Sequence, residues 1–167
     1  MRRKPVIAVV GTSREVEAAV SNARALGRSI AEQGWVLITG GRNAGVMRAA
    51  SEGAKSAKDS LTIGILPDSE TEVADAVDVA IVTGIGEARN NIIGLSADAV
   101  VACGVDDPGT ASEVALALKS GKHVILLQAS KTAVSFFGPM NERLVYQARS
   151  PQEAVDVLSK LVNKIKT

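Results

Sequence analysis

Charged side chains at glycine-rich turns are where this 167-residue chain could do chemistry. One turn concentrates them: Gly104-Val-Asp-Asp-Pro-Gly-Thr-Ala-Ser-Glu-Val114. Thr110-x-x-Glu113 has the capping-box spacing, in which the hydroxyl accepts from the first helical turn and the glutamate reaches back to the cap. A helix start is also where an anion is held, by free backbone N–H groups and the positive end of the helix dipole. Three other turns share the glycine content: Gly11-Thr12-Ser13, Gly40-Gly41-Arg42-Asn-Ala-Gly45 running into Val46 and Met47, and Thr83-Gly84-Ile-Gly86. Glycine lets backbone N–H groups approach an anion closely. Four such turns on one rim point to a phosphate-bearing or otherwise anionic small ligand.

Two familiar phosphate motifs are absent. After the first apolar run the chain reads Gly11-Thr-Ser-Arg-Glu-Val16, without the second and third glycines of the dinucleotide fingerprint. No G-x-x-x-x-G-K-[ST] string occurs either, so P-loop nucleotide hydrolysis is unsupported.

The elements that must position these turns alternate regularly. Apolar runs at residues 5–11, 35–39, 61–66, 77–82, 99–103 and 123–128 read as strands, and amphipathic stretches at 14–33, 45–57, 87–97 and 111–120 read as helices. Thr12-x-x-Glu15 predicts a capping box for the first helix, and Gly34 its end. Residues 129–142 are ambiguous, 143–147 read as an edge strand, and Ser150-Pro-Gln-Glu153 opens a last helix. Continuous apolar strands, each followed by a helix, imply a parallel sheet with right-handed crossovers. The expected fold is α/β, a single-domain Rossmann-like three-layer arrangement around a mostly parallel sheet of about seven strands, spanning residues 1–167. Ligands of such sheets sit at the carboxyl ends of the strands.

Composition agrees. Hydrophobic residues make up 46% and aromatics 2%, which suits a Val/Ile/Leu/Ala core between helices better than a β-sandwich. A net charge of +1 gives no field for nucleic acid or membrane surfaces. No apolar run approaches the roughly 20 residues that cross a bilayer, and residues 6–10 are too short for a signal core despite the basic start Met1-Arg-Arg-Lys. Cys103, the single cysteine, excludes an intrachain disulfide and suits a reducing, cytoplasmic location; it and His123 read as structural residues. Without a second His or Cys, a zinc site of that type is unsupported. Arg2, Arg3 and Lys4 read as a solvated terminus, Arg48 as part of a solvated helix face, and Asp98 as a turn residue.

The segments "ITGGRNAGVMRAASEGA", "VTGIGEARNNIIGLSADAVVA" and "GTASEVALALKSGKHVILL" closely resemble the Lonely Guy-like (SLOG) superfamily, some of whose members have been mislabelled lysine decarboxylases. The likeness runs to about residue 128 and is strongest to the bacterial subgroup around the molybdenum cofactor carrier proteins. It implies a homodimer or higher homo-oligomer joined by helical faces such as residues 91–95. It also implies a small phosphorylated ligand: a molybdopterin-type cofactor or an AMP-like nucleotide, bound by a carrier, or cleaved by a nucleoside 5′-monophosphate phosphoribohydrolase.

For the hydrolase, the resemblance puts Arg89 and Glu113 in the catalytic positions and Gly109 and Thr110 at the phosphate. A carboxylate beside the ribose stabilises the positive charge built as a glycosidic bond breaks, or activates water. Arg42, Asn90 and Gly104 complete the expected contacts. The family's Met-His before the arginine is Gly86-Glu87 here, its following lysine is Asn90, and its Pro-Gly-Gly aligns with Val105-Asp106-Asp107. Each aspartate about 5 Å from a bound anion would repel it by roughly 3 kcal/mol at an effective dielectric near 20, about a hundredfold in affinity. The two aspartates either face solvent, or hold a Mg²⁺ that meets the phosphate, or are displaced by a loop insertion. Binding without assured turnover is therefore the leading expectation.

Overall fold

A computed structural model describes residues 3–165. Seven strands form one parallel sheet: β1 (Val6–Gly11), β2 (Val36–Thr39), β3 (Leu61–Leu66), β4 (Val79–Val82), β5 (Ala99–Cys103), β6 (His123–Leu127) and β7 (Val145–Ala148). Their order is β4-β3-β2-β1-β5-β6-β7, and every pairing is parallel. The chain steps outward from β1 to β4, then returns to the other side of β1 and steps outward again. The reversal lies between β1 and β5, in register Ile7↔Ala99 to Gly11↔Cys103, and the crevice at its carboxyl ends is where such sheets bind ligands.

Helices α1 (Glu17–Glu32), α2 (Gly45–Lys55) and α6 (Pro151–Ile165) cover one face, and α3 (Arg89–Ser96), α4 (Pro108–Lys119) and α5 (Lys131–Phe137) the other. Alternate residues of each central strand feed the two cores: Ile7, Val9 and Val101 join the first, Ala8, Val10 and Val100 the second. That two-sided burial explains why the central strands read as unbroken apolar runs. Helices α1 and α2 touch backbone to backbone. A Cβ on Gly27 would lie 2.0 Å from the Ala50 carbonyl oxygen, and one on Gly53 would lie 1.9 Å from that of Arg24.

Several local expectations change. Helix α1 begins at Glu17, not residue 14, and has no side-chain cap. Thr12 Oγ1 instead accepts from the Arg14 N–H at 3.1 Å, holding a tight turn. Glu15 crosses to α2, accepting from the Gly45 N–H at 3.0 Å and pairing with Arg48 at 2.8 Å. A helix start too far along the sequence to be counted as local thus captures the cap. Arg48 is correspondingly an ion-pair partner of Glu15 and Glu52 rather than merely solvated.

Asp98 is more than a turn residue, since it accepts from the Val6 N–H at 2.9 Å and from both terminal nitrogens of Arg3. Arg3 is accordingly tethered, while Met1 and Arg2 lie outside the described residues. Residues 129–142 resolve into α5, capped by Ser130, and a 3-10 turn at Gly138–Met140. The edge strand expected at 143–147 is β7, which starts two residues later and ends one residue later.

Candidate functional site

The carboxyl ends of β1, β2 and β5 open into a small polar cleft of about 80 Å³, below the usual range for small-molecule sites. Each wall comes from one strand-to-helix turn. Gly11 and Ser13 follow β1, Arg42 and Met47 follow β2, Glu87, Arg89 and Asn90 follow β4, and Asp107, Gly109, Thr110 and Glu113 follow β5. Gly11 is a steric requirement here, because a Cβ on it would stand 2.7 Å from a Val46 methyl.

Arg89 enters at the first turn of α3 and is 4% exposed. One terminal nitrogen donates to the carbonyls of Gly40 and Ile65, at the ends of β2 and β3, and the other lies 3.8 Å from Glu87. Burial works against its charge, which Glu87 and Glu113 partly support. Arg89 therefore ties the ends of β2 and β3 to the start of α3 as well as facing the cleft. Asn90, also 4% exposed, donates to Ser112 of α4 at 3.2 Å. Arg42 spans the cleft edge to Glu87 at 2.9 Å. Three polar atoms in this wall are shut from water and have no hydrogen-bond partner: Arg42 Nε, Arg89 Nε and Asn90 Oδ1. Buried polar atoms are seldom left so, and these three are shut off from the cleft as well as from bulk water.

The turn at residues 104–114 carries a different cap from the one expected. Helix α4 starts at Pro108, three residues early, with Asp107 as its N-cap. Asp107 accepts from the Thr110 N–H at 2.9 Å and from its hydroxyl at 3.0 Å. Asp-Pro at cap and first helical position is itself a start signal, and it outranks Thr110-x-x-Glu113, whose two residues lie in the first and second turns. The candidate Mg²⁺ pair is thus a helix cap beside an exposed Asp106, and no group of three His, Cys, Asp or Glu converges among the described residues. Glu113, released from capping, is half-buried and makes no hydrogen bond or ion pair there. Desolvation pushes its carboxyl up to about 8, with Arg89 opposing and Asp107 and Glu87 adding to the rise.

Of the expected ligand residues, Gly11, Ser13, Arg42, Met47, Arg89, Asn90, Gly109, Thr110 and Glu113 meet in the cleft. Thr12, Gly40, Gly41, Gly45, Val46, Thr83, Gly84 and Gly104 do not line it. Gly40 sits behind Arg89, where a Cβ would come within 2.8 Å of the guanidinium. Gly41 and Gly45 take the left-handed backbone in close contacts with Gly64 and the Thr12 carbonyl, while the Val46 N–H is spent on that same carbonyl. Thr83 bonds the Leu66 carbonyl. Glu87 and Asp107 are lining residues that glycine counting could not find. Cys103 is buried at the end of β5, its thiol pushed to about 12 by desolvation, and His123 stands at the opposite end of the sheet, 5.6 Å from the Tyr146 ring.

A doubly wound parallel sheet with a polar, two-arginine cleft at its reversal point defines a small-ligand-binding α/β protein. Residues 4–155 match the SLOG cluster4 family, and the chain belongs to that family. Its structure superposes with a TM-score of 0.91 on the molybdenum cofactor binding protein of Rippkaea orientalis, at 48% identity over 97% of this chain and 99% of that one. The molybdenum cofactor carrier protein of Chlamydomonas reinhardtii is 44% identical over 96% of this chain and 99% of its own, also at 0.91. An uncharacterized protein of Archaeoglobus fulgidus is 44% identical over 73% of this chain and 79% of its own length.

Proposed function

We propose that this protein binds and carries the molybdenum cofactor, holding it in the cleft between the turns after β1, β2, β4 and β5. The observation that carries the reading is the convergence of Arg42, Arg89, Asn90 and Thr110 on one cleft, in a chain nearly half identical to cofactor-binding relatives. Two guanidinium donors suit the phosphate of such a cofactor, and an amide oxygen suits a ring N–H. Arg42 would turn from Glu87 to the phosphate, while Asn90 and Ser13 would meet the polar ring edges. An AMP-like nucleotide offers the same kinds of group and competes as ligand.

Hydrolysis is the weaker reading. A neutral Glu113 lacks the charge that a ribosyl cation needs. The buried single thiol fits a cytoplasmic setting. A second copy would cover the free edge of β4, where Val79, Ile81, Val82, Ile85 and Leu95 are 45–54% exposed, an apolar surface atypical of a monomer.

The test is co-elution. Molybdenum cofactor released from a molybdoenzyme is mixed with the chain, desalted, and the retained pterin measured by fluorescence after oxidation. Near one-to-one retention is expected, with Arg42→Ala retaining at least tenfold less. No retention by the unaltered chain, or free-base release from a nucleoside 5′-monophosphate that Glu113→Gln abolishes, would overturn the reading.

A further inference from the structure

The starts of α2 and α4 beside the cleft are each capped by a carboxylate of the chain itself. Glu15 occupies the N–H of Gly45 at the start of α2, and Asp107 occupies that of Thr110 at the start of α4. One first-turn N–H at each of these two helix starts is therefore already taken, and the cleft adds Glu87 and Glu113 to Asp107 on its wall. Against these carboxylates stand two cations, with Arg42 paired to Glu87 at 2.9 Å and Arg89 donating to Gly40 and Ile65. A ligand anion entering such a wall with every carboxylate ionised would meet net repulsion.

Glu113 is the exception. Its carboxyl has no hydrogen bond or ion pair among the described residues, although the other two carboxylates are engaged. A poorly solvated, unpaired carboxyl rests as the neutral acid, which carries one O–H donor in need of an acceptor. We infer that Glu113, as a neutral carboxylic acid, donates a hydrogen bond to the anionic group of the bound ligand, so that the cleft admits an anion only together with this proton. The inference deepens the carrier reading and rests on its choice of cleft.

The groups facing Glu113 are consistent with a retained proton. Arg89 of α3 favours ionisation, while Glu87 from the turn before α3 and Asp107 from the start of α4 oppose it, and desolvation exceeds each of these. Arg42, from the β2–α2 turn, lines the same cleft but is drawn to Glu87. Strands β1 and β5 offer no charged side chain, only the Cys103 thiol, which stays neutral. Binding then takes up no proton below about pH 8, where the acid is already protonated, and must take one up above it.

Sulfate is the probe, because its charge is constant over the range needed. Sulfate binding to the whole chain is followed by NMR at pH 6.5 and 9.5, and the Glu113 carboxyl ¹³C shift is titrated with and without sulfate. Affinity is expected to fall about thirtyfold from pH 6.5 to 9.5, as the protonated fraction falls. The carboxyl midpoint is expected to rise when sulfate is present, and Glu113→Gln, which keeps an N–H donor, to bind with a nearly flat profile. Equal affinity at both pH values, an unchanged slope in Glu113→Gln, a sulfate-free carboxyl midpoint below pH 6, or no sulfate binding at either pH would each overturn the inference. The carboxyl titration needs no variant, so misfolding of Glu113→Gln leaves the test decisive. Sulfate binding with the expected slope, alongside no retention of molybdenum cofactor, would sink the proposed ligand and leave Glu113 as proton donor.

Discussion

Glu113 and Asp107 lie six positions apart in sequence but play different roles. Asp107 is a cap, and Asp107→Ala is expected to cost about 1 kcal/mol of unfolding free energy by exposing the first-turn N–H groups, with Asp107→Asn nearly neutral. Urea denaturation of the two variants checks this. Glu113 has the opposite sign of effect. Its folded carboxyl lies near 8 against an ordinary 4.5, so the folded chain holds the extra proton and stability falls as pH rises between those values. Glu113→Gln should therefore leave the melting temperature almost unchanged at pH 5 and raise it relative to the parent at pH 8.5. Thermal scans at the two pH values decide it, and equal differences at both would refute the raised carboxyl.

At the scale of elements, the cleft depends on how closely α1 and α2 meet, because α2 carries Met47 into the wall and takes its cap from Glu15. Gly27 and Gly53 allow that approach at two places. A methyl on either would strike a backbone oxygen at about 2 Å, and no side-chain rotation relieves such a contact. Gly53→Ala is expected to destabilise by at least about 1–3 kcal/mol despite the better helix propensity of alanine. A drop in urea midpoint checks it, and a gain in stability would show that the helices can separate freely. Sequence reading placed both helices but not this contact, since a glycine inside a helix looks the same whether it is tolerated or required.

At the scale of the whole molecule, the edge strand β4 is the odd member of the sheet. Its four residues Val-Ala-Ile-Val are exposed, although their apolar run predicts the two-sided burial seen in β1 and β5. Its turn also supplies Glu87, Arg89 and Asn90 to the cleft. A homo-oligomer formed over this edge would bury the apolar side chains and shield the sheet from indiscriminate pairing. Ile81→Glu is expected to shift the chain from oligomer to monomer in light scattering, and a monomeric parent would refute the interface.

The order of strands and helices, the parallel sheet and the rim on which glycine-rich turns gather were legible in the residues alone. Apolar runs that alternate with amphipathic stretches admit few other arrangements, and turn chemistry is local. So was the pairing of Arg89 and Glu113 with one site, through the likeness of their motifs. The tertiary structure decided which charges are free. Glu15 caps a helix 30 residues away, Asp107 displaces Glu113 from the cap, and Arg89 is spent on carbonyls of β2 and β3. Competition for a hydrogen bond is settled by distance in space, which local spacing does not encode. The protonation of Glu113 depends in turn on the packing that surrounds it.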